Sequence, residues 1–242
     1  MAQDIPITVD VSSLYGEISS NPAFSGLQRT IKRAMLYQSC LADLRQADSS
    51  LHALKKLSAS PRNAGSIDKV TTEAALLMQA VILYARATGG NNGRGERGSV
   101  NITSKLKPEL LKDHDLILLL RNRALAHVYH GEIIGDHIWS EQAIFLVKEG
   151  AAFRPSVTTR TSQVNAKTAQ ILAGLLPIAI EIIGAKSSET LDGIVISLNK
   201  HGVAYDLLLR HQIDLIKFFG SEARASVFAA SSTNGEASLI IT

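Results

Sequence analysis

Apolar side chains recur at helical spacing between Leu27 and Leu54. Leu27, Ile31, Ala34, Leu41, Leu44, Leu51 and Leu54 stand three, four or seven apart, which places them on one face of a long amphipathic helix. Arg29, Lys32, Arg33, Arg45 and Asp48 fill the remaining positions, and the helix should end near Leu57, ahead of Ser58-Ala59-Ser60-Pro61. A second helix is expected after Ser66, a suitable N-cap, and should run to about Ala87. Its middle, Ala74 to Ala85, is apolar nearly all round, as in a central buried helix, and Gly89-Gly90 stops it. The Gly/Asn/Arg stretch over residues 89–106 offers nothing to pack a core and reads as a mobile loop. Pro108 suits the first turn of a third helix reaching about Tyr129. Two β-prone runs flank Glu149-Gly150 and predict a hairpin at about 138–158, with Pro155 confining the second run to an edge or a poor strand. Asn165 to about Ile183 is a fourth helix with a kink expected at Pro177, and Leu191 to Phe219 a fifth, with Gly202 as a point where it can split.

The pattern predicts a mainly α chain, a bundle of about five helices with a small β-hairpin insertion, forming a single domain over residues 24–228. Residues 1–23 read as an arm, in which Ile7-Thr8-Val9-Asp10-Val11 alternates like a short strand, and residues 229–242 as a flexible tail.

Composition narrows the function. The 242 residues are 45% hydrophobic, which excludes wholesale disorder and suffices for a packed core. A net charge of +3 excludes a histone-like polycation, while a pI near 9.0 permits nucleic acid as a partner. One cysteine, Cys40, can build neither an internal disulfide nor a multi-thiolate zinc site. The start lacks a basic patch followed by an apolar core, and the apolar runs are interrupted well short of the roughly 20 residues of a membrane span. The expectation is a cytoplasmic protein with no membrane segment, and a mean hydropathy of +0.10 hints at a generous core or a buried interface.

One stretch carries chemistry: His114-Asp115, the apolar run Leu116–Leu120, then Arg121-Asn122-Arg123-Ala-Leu-Ala-His127-Val-Tyr129-His130. Arg123 and His127, four apart, are neighbours on a helix. Arg121 and His127, six apart, lie about 240° around the axis at about 100° per residue, so they converge only through a bend or a second copy. His114 and Arg121, seven apart, stack on one face. A guanidinium binds phosphate through forked hydrogen bonds, and an imidazole can take or give a proton near neutral pH. Together they can cleave RNA without a metal. One imidazole deprotonates the 2′-OH, another protonates the leaving 5′-oxygen, and arginines hold the phosphorane. A symmetric dimer supplies the second imidazole.

Arg121-Asn122-Arg123-Ala-Leu-Ala-His127 resembles the signature of the HEPN superfamily: an Arg, an adjacent polar residue, and a His four to six positions beyond the Arg. His114-Asp115 upstream and Tyr84-Ala85-Arg86 at the end of the preceding helix, followed by a polar Gly/Arg loop, agree with that context, so the resemblance covers about residues 66–130. It implies a helical bundle that dimerises through the motif helix and a metal-independent endoribonuclease, often of toxin–antitoxin or phage-defence systems. His127 would then be the acid/base, Arg121 the phosphate ligand and Asn122 the residue that orients one of them. Arg123, His114 and Tyr129 are substrate-binding candidates. His127-Val-Tyr129 also resembles the ending of HEPN toxins paired with nucleotidyltransferase antitoxins, in which the tyrosine receives nucleotides. The chain departs from those compact toxins in its length, its hairpin and the apolar Val128. No cofactor and no metal are implied. The alternative is a non-catalytic HEPN-like module that binds RNA, a nucleotide or a protein.

The same residues have plainer roles open to them. Arg121 and Arg123 can pair with Asp115 or Glu132, and His127 can sit against the carbonyl end of its helix. Tyr129, Tyr84 and Arg86 can simply pack and pair. His130, Glu132 and His137 are irregularly spaced for a metal cluster. Arg94 and Arg97 either touch a nucleic-acid backbone or belong to a solvated linker. His201 and His211 read as surface residues, Met35 and Met78 as core filler, and no nucleophile-elbow pattern supports serine catalysis.

Overall fold

A computed structural model describes residues 7–61, 67–89, 98–126, 131–150, 152–161 and 165–232. Among the described residues the chain is mainly helical with two small antiparallel sheets. Eight α-helices lie among the described residues: α1 (Val11–Ile18), α2 (Ser25–Ala59), α3 (Ile67–Thr88), α4 (Pro108–Leu120), α5 (Ala166–Lys200), α6 (Tyr205–Leu209), α7 (Leu215–Phe219) and α8 (Glu222–Ser232). Strands β1 (Ile133–Ile134) and β2 (His137–Ile138) form one hairpin, β3 (Ser140–Glu149) and β4 (Ala152–Thr161) the other. Contacts divide the chain into two compact units, one of residues 36–189 and one of residues 1–35 with 190–242.

The core of the 36–189 unit comes from helical stripes of the kind the sequence predicts. Leu41, Leu44, Ala47, Leu51 and Leu54 of α2 are buried with Leu77, Ala80, Val81, Tyr84 and Ala87 of α3. Ile117 and Leu120 of α4 and Leu172, Leu175, Leu176, Ala179 and Ile183 of α5 complete it. Each leucine, isoleucine or valine among them contributes roughly 1.5–3 kcal/mol on burial. Arg86 of α3 ties back to Asp43 of α2 through two bonds, Nε–Oδ2 at 2.8 Å and Nη2–Oδ1 at 2.6 Å. That pairing raises the guanidinium pKa.

Two expectations need correction here. The segment after the Gly-rich stretch does pack a core: Val100, Ile102 and Leu106 are buried, and Val100 N donates to Ala87 O at 2.8 Å. Its three apolar side chains are sparse, but a short 3₁₀ turn at Thr103–Lys105 aims them inward. The fourth helix and the start of the fifth are one helix, α5, which continues through Pro177. Proline removes one N–H from the ladder, and the buried residues on both sides of it hold the helix together. By length and composition α5 also suffices to cross a membrane, with mean hydropathy 1.7 over an 18-residue window. A core helix passes the same test, and Leu172 to Ile183 supply core side chains here.

The long hairpin lies at β3–β4, close to its predicted place. Ile144 faces Val157, Leu146 faces Pro155 and Lys148 faces Phe153 across the ladder. One face of this ribbon is therefore an exposed apolar stripe of Ile144, Leu146, Phe153 and Val157.

In the other unit, Leu14 and Ile18 of α1 pack with Leu27, Ile31 and Ala34 of α2 and Ile194 of α5. Met35, expected as core filler, is exposed, one position beyond the buried Ala34. The alternating stretch near Val9 makes a single bridge to Gln212 rather than a strand, and Asp10 then caps α1 by accepting from Ser12 N at 2.9 Å. The helical pattern predicted onward to Phe219 breaks after Lys200. Val203 N donates to Leu198 O and Gly202 N to Asn199 O, a Schellman stop that requires the positive φ of Gly202.

Replacing Ile102 by Ala should cost about 2–5 kcal/mol, whereas the same change at exposed Ile144 should stay within about 0.5 kcal/mol. Urea unfolding of the two variants checks whether the 98–106 segment anchors the core.

Candidate functional site

The motif lies where α4 runs out of core. Pro108 opens the helix with Lys107 as N-cap, and Ile117 and Leu120 are its last buried turns. Beyond Leu120 the backbone widens into a π-helical turn over Arg121–Ala126, a rare geometry that recurs at functional sites. Arg121, Asn122 and Arg123 are all exposed. Arg121 Nη1 donates to Asn122 Oδ1 at 3.0 Å, its one hydrogen bond among the described residues. Arg123 Nη1 donates to Glu132 Oε1 at 2.9 Å, a half-exposed ion pair. His127 and Tyr129 lie outside the described residues, as do His130, Arg94, Arg97 and Ser66.

His114 does not share the surface with Arg121. The two start on one helical face, but two turns of α4 separate them, about 10 Å along the axis, and the core ends between them at Leu120. His114 is 1% exposed. Its Nδ1 lies 2.9 Å from the Tyr84 hydroxyl, with the two rings edge to face at 5.8 Å. Burial holds the His114 pKa below its ordinary value of 6.5, against a smaller opposing pull from Asp115. Burial likewise pushes the Tyr84 phenol up. His114 is therefore a neutral brace between α3 and α4, out of reach of a substrate. Tyr84 and Arg86, the other two residues of that context, also hold helices together.

Beside the motif, the β1–β2 hairpin brings polar groups inward. Ile134 opposes His137, so His137 shares the buried face of Ile134, against which Trp139 also turns. His137 meets Trp139 edge to face at 5.3 Å. Its Nε2 and the Oε2 of Glu132 are buried without a hydrogen-bond partner among the described residues. His137 lines a shallow indentation of about 270 Å3, counting the part open to solvent, with Leu116 and Leu120 of α4 and Asn165 and Thr168 at the start of α5. On its rim Lys167 Nζ donates to Asp136 at 2.7 Å and holds that carboxyl below the usual carboxylate range. Sequence spacing set His137 aside as part of an irregular metal cluster. The signal that it faces inward is its register opposite Ile134. Among the described residues no three metal-capable side chains converge.

Comparison of the chain with protein-family models, curated proteins and solved structures finds no match in any of the three.

The buried imidazole makes stability depend on pH. Because the folded-state pKa of His114 is depressed, the unfolded chain takes up a proton that the folded chain refuses as pH falls below about 6.5, the unfolded value. Stability should be full above that pH and decline below it. Urea unfolding at pH 7.5 and 5.5 should show the loss, and His114→Gln should flatten it. Tyr84→Phe should cost about 1–3 kcal/mol at pH 7.5, because it strips His114 of its partner.

Proposed function

We propose that this chain is a metal-independent endoribonuclease of the HEPN type. It would be a helical bundle that works as a cytoplasmic homodimer, in a toxin–antitoxin or phage-defence role. The observation that carries the reading is the state of Arg121. It is exposed on the π-helical end of α4, and its side chain is bonded among the described residues only to Asn122. A guanidinium held by a neutral amide keeps its charge and its remaining donors for a phosphate. Asn122 fixes its orientation, the role the resemblance gives it. His127, five positions beyond Asn122, supplies the proton transfers, and a second copy supplies the second imidazole. Leu119, exposed on α4 beside the arginines, and the apolar face of β3–β4 suit burial against another protein. A net charge of +3 confines RNA binding to this local cluster. If a nucleotidyltransferase antitoxin accompanies the protein, Tyr129 is the residue it would modify.

A second reading, a non-catalytic module that binds RNA, a nucleotide or a protein partner, draws support from Arg123. Its guanidinium already faces Glu132, and a carboxylate beside a phosphate site weakens anion binding.

RNA cleavage in EDTA separates the two. His127→Ala should lower the cleavage rate by about 10²–10⁴-fold and Arg121→Ala should raise the RNA concentration needed, whereas Arg123→Ala should matter less. Undiminished cleavage by His127→Ala sinks the mechanism, and RNA binding without cleavage by the unaltered protein selects the second reading. Glu132→Gln should tighten RNA binding several-fold by removing the negative charge that faces Arg123, measured by titration with a labelled single-stranded RNA.

A further inference from the structure

A hydrogen-bonded chain of serine, histidine and glutamate runs across the unit of residues 1–35 and 190–242. Ser13 Oγ lies 2.8 Å from His211 Nδ1. His211 Nε2 lies 2.7 Å from Glu17 Oε2. Arg210 Nη2 lies 2.9 Å from the other oxygen, Glu17 Oε1, and fixes the carboxylate. Ser13 and Glu17 stand four apart on α1, one above the other on the same face, and the imidazole bridges them. The His211 side chain is only 9% exposed, although the sequence suggests a surface residue. Backbone bonds hold it in place: Asp10 N donates to His211 O at 2.8 Å and Ile213 N to Thr8 O at 2.9 Å.

This connectivity sets the tautomer. A carboxylate only accepts, so Nε2 carries the proton that faces Glu17, and Nδ1 is left with its lone pair toward the Ser13 hydroxyl. A serine bonded to a histidine whose far nitrogen is oriented by a carboxylate has the arrangement that activates a hydroxyl. Ser13 itself is exposed. Of the first-turn N–H groups of α1, that of Ser12 donates to Asp10 Oδ1 and that of Leu14 to Asp10 O. The N–H groups of Val11 and Ser13 have no partner within the helix.

We propose that Ser13 is an activated nucleophile for acyl transfer from small, solvent-borne carboxylic esters. Ser13 Oγ attacks the ester carbonyl while its proton moves to His211 Nδ1. The tetrahedral adduct expels the alcohol, which takes that proton, and leaves an acyl-serine. Water then attacks the acyl-serine, giving one proton to Nδ1 that returns to Ser13 Oγ as the acid departs. The sum is ester plus water to acid plus alcohol. Glu17 and Arg210 are positioning residues, since neither touches the ester.

The test is covalent labelling of the full chain with diisopropyl fluorophosphate, read by peptide mass spectrometry. Ser12, also exposed one position away and with no side-chain hydrogen bond among the described residues, is the internal control. Ser13 should label at least tenfold faster than Ser12 in the unaltered protein. Glu17→Gln should lower Ser13 labelling at least tenfold and leave Ser12 unchanged, a change in ratio that mere loosening of α1 would not produce. His211→Gln should bring Ser13 down to the rate of Ser12. The unaltered protein should also release a burst of p-nitrophenol from p-nitrophenyl acetate, one per chain, that Ser13→Ala abolishes. Equal labelling of Ser12 and Ser13 in the unaltered protein overturns the proposal, as does a Ser13-to-Ser12 ratio that neither variant moves.

Discussion

A buried imidazole next to a buried phenol fixes how the helices of the 36–189 unit meet. The leucines, isoleucines and alanines around Tyr84 and His114 supply most of the energy, but apolar attraction is non-directional and by itself tolerates alternative registers. The bond between Tyr84 and His114 does not, because a slip would leave two desolvated polar groups unpaired, at about 1–3 kcal/mol each. Its net contribution is about 1 kcal/mol, so its effect lies in selecting one register of α3 against α4. That register determines where α4 leaves the core, and hence where Arg121 and Arg123 emerge.

The π-helical turn is the next consequence. Leu116 to Leu120 is a continuous apolar run, and the core accepts it only as far as Leu120. The following Arg-Asn-Arg must reach water within one turn. Widening the ladder from i→i+4 to i→i+5 bonds turns successive side chains through a smaller angle. All three polar residues then face solvent together. The same turn lets Arg123 reach Glu132 at the foot of β1, so a carboxylate stands beside the arginines before any ligand arrives.

The sequence conveyed what depends on short-range periodicity. The limits of α2 and α3 and the hairpin near Gly150 follow from spacing within a dozen residues or so. It did not convey what depends on distant partners. Ile102 looks like loop, because its neighbours in sequence are glycines and polar residues, yet it is held by α3 through Val100. The stretch 184–190 looks like a break between two helices, because it carries glycine, serines and charged residues, yet α5 continues through it. His114 looks like a surface candidate two turns from Arg121. Its burial follows from Tyr84, 30 residues earlier. His137 faces inward through a ladder of two residue pairs, too short to show as alternation. The Ser13–His211 contact spans 198 residues and leaves no local pattern.

That last contact also illustrates what stability alone does not explain. Thr8 and Asp10 are already joined to Ile213 and His211 by backbone bonds. An ion pair as open as Glu17 with Arg210 adds only about 0–1 kcal/mol to such a junction. Holding the long Arg210 and Glu17 side chains in one geometry also costs rotamer entropy of up to about 1.5–2 kcal/mol per side chain. Replacing Ser13 by an apolar residue would leave His211 bonded to Glu17 and the junction intact. Ser13, His211, Glu17 and Arg210 thus form one bonded chain that joins α1 to the segment around His211 and ends at an exposed hydroxyl.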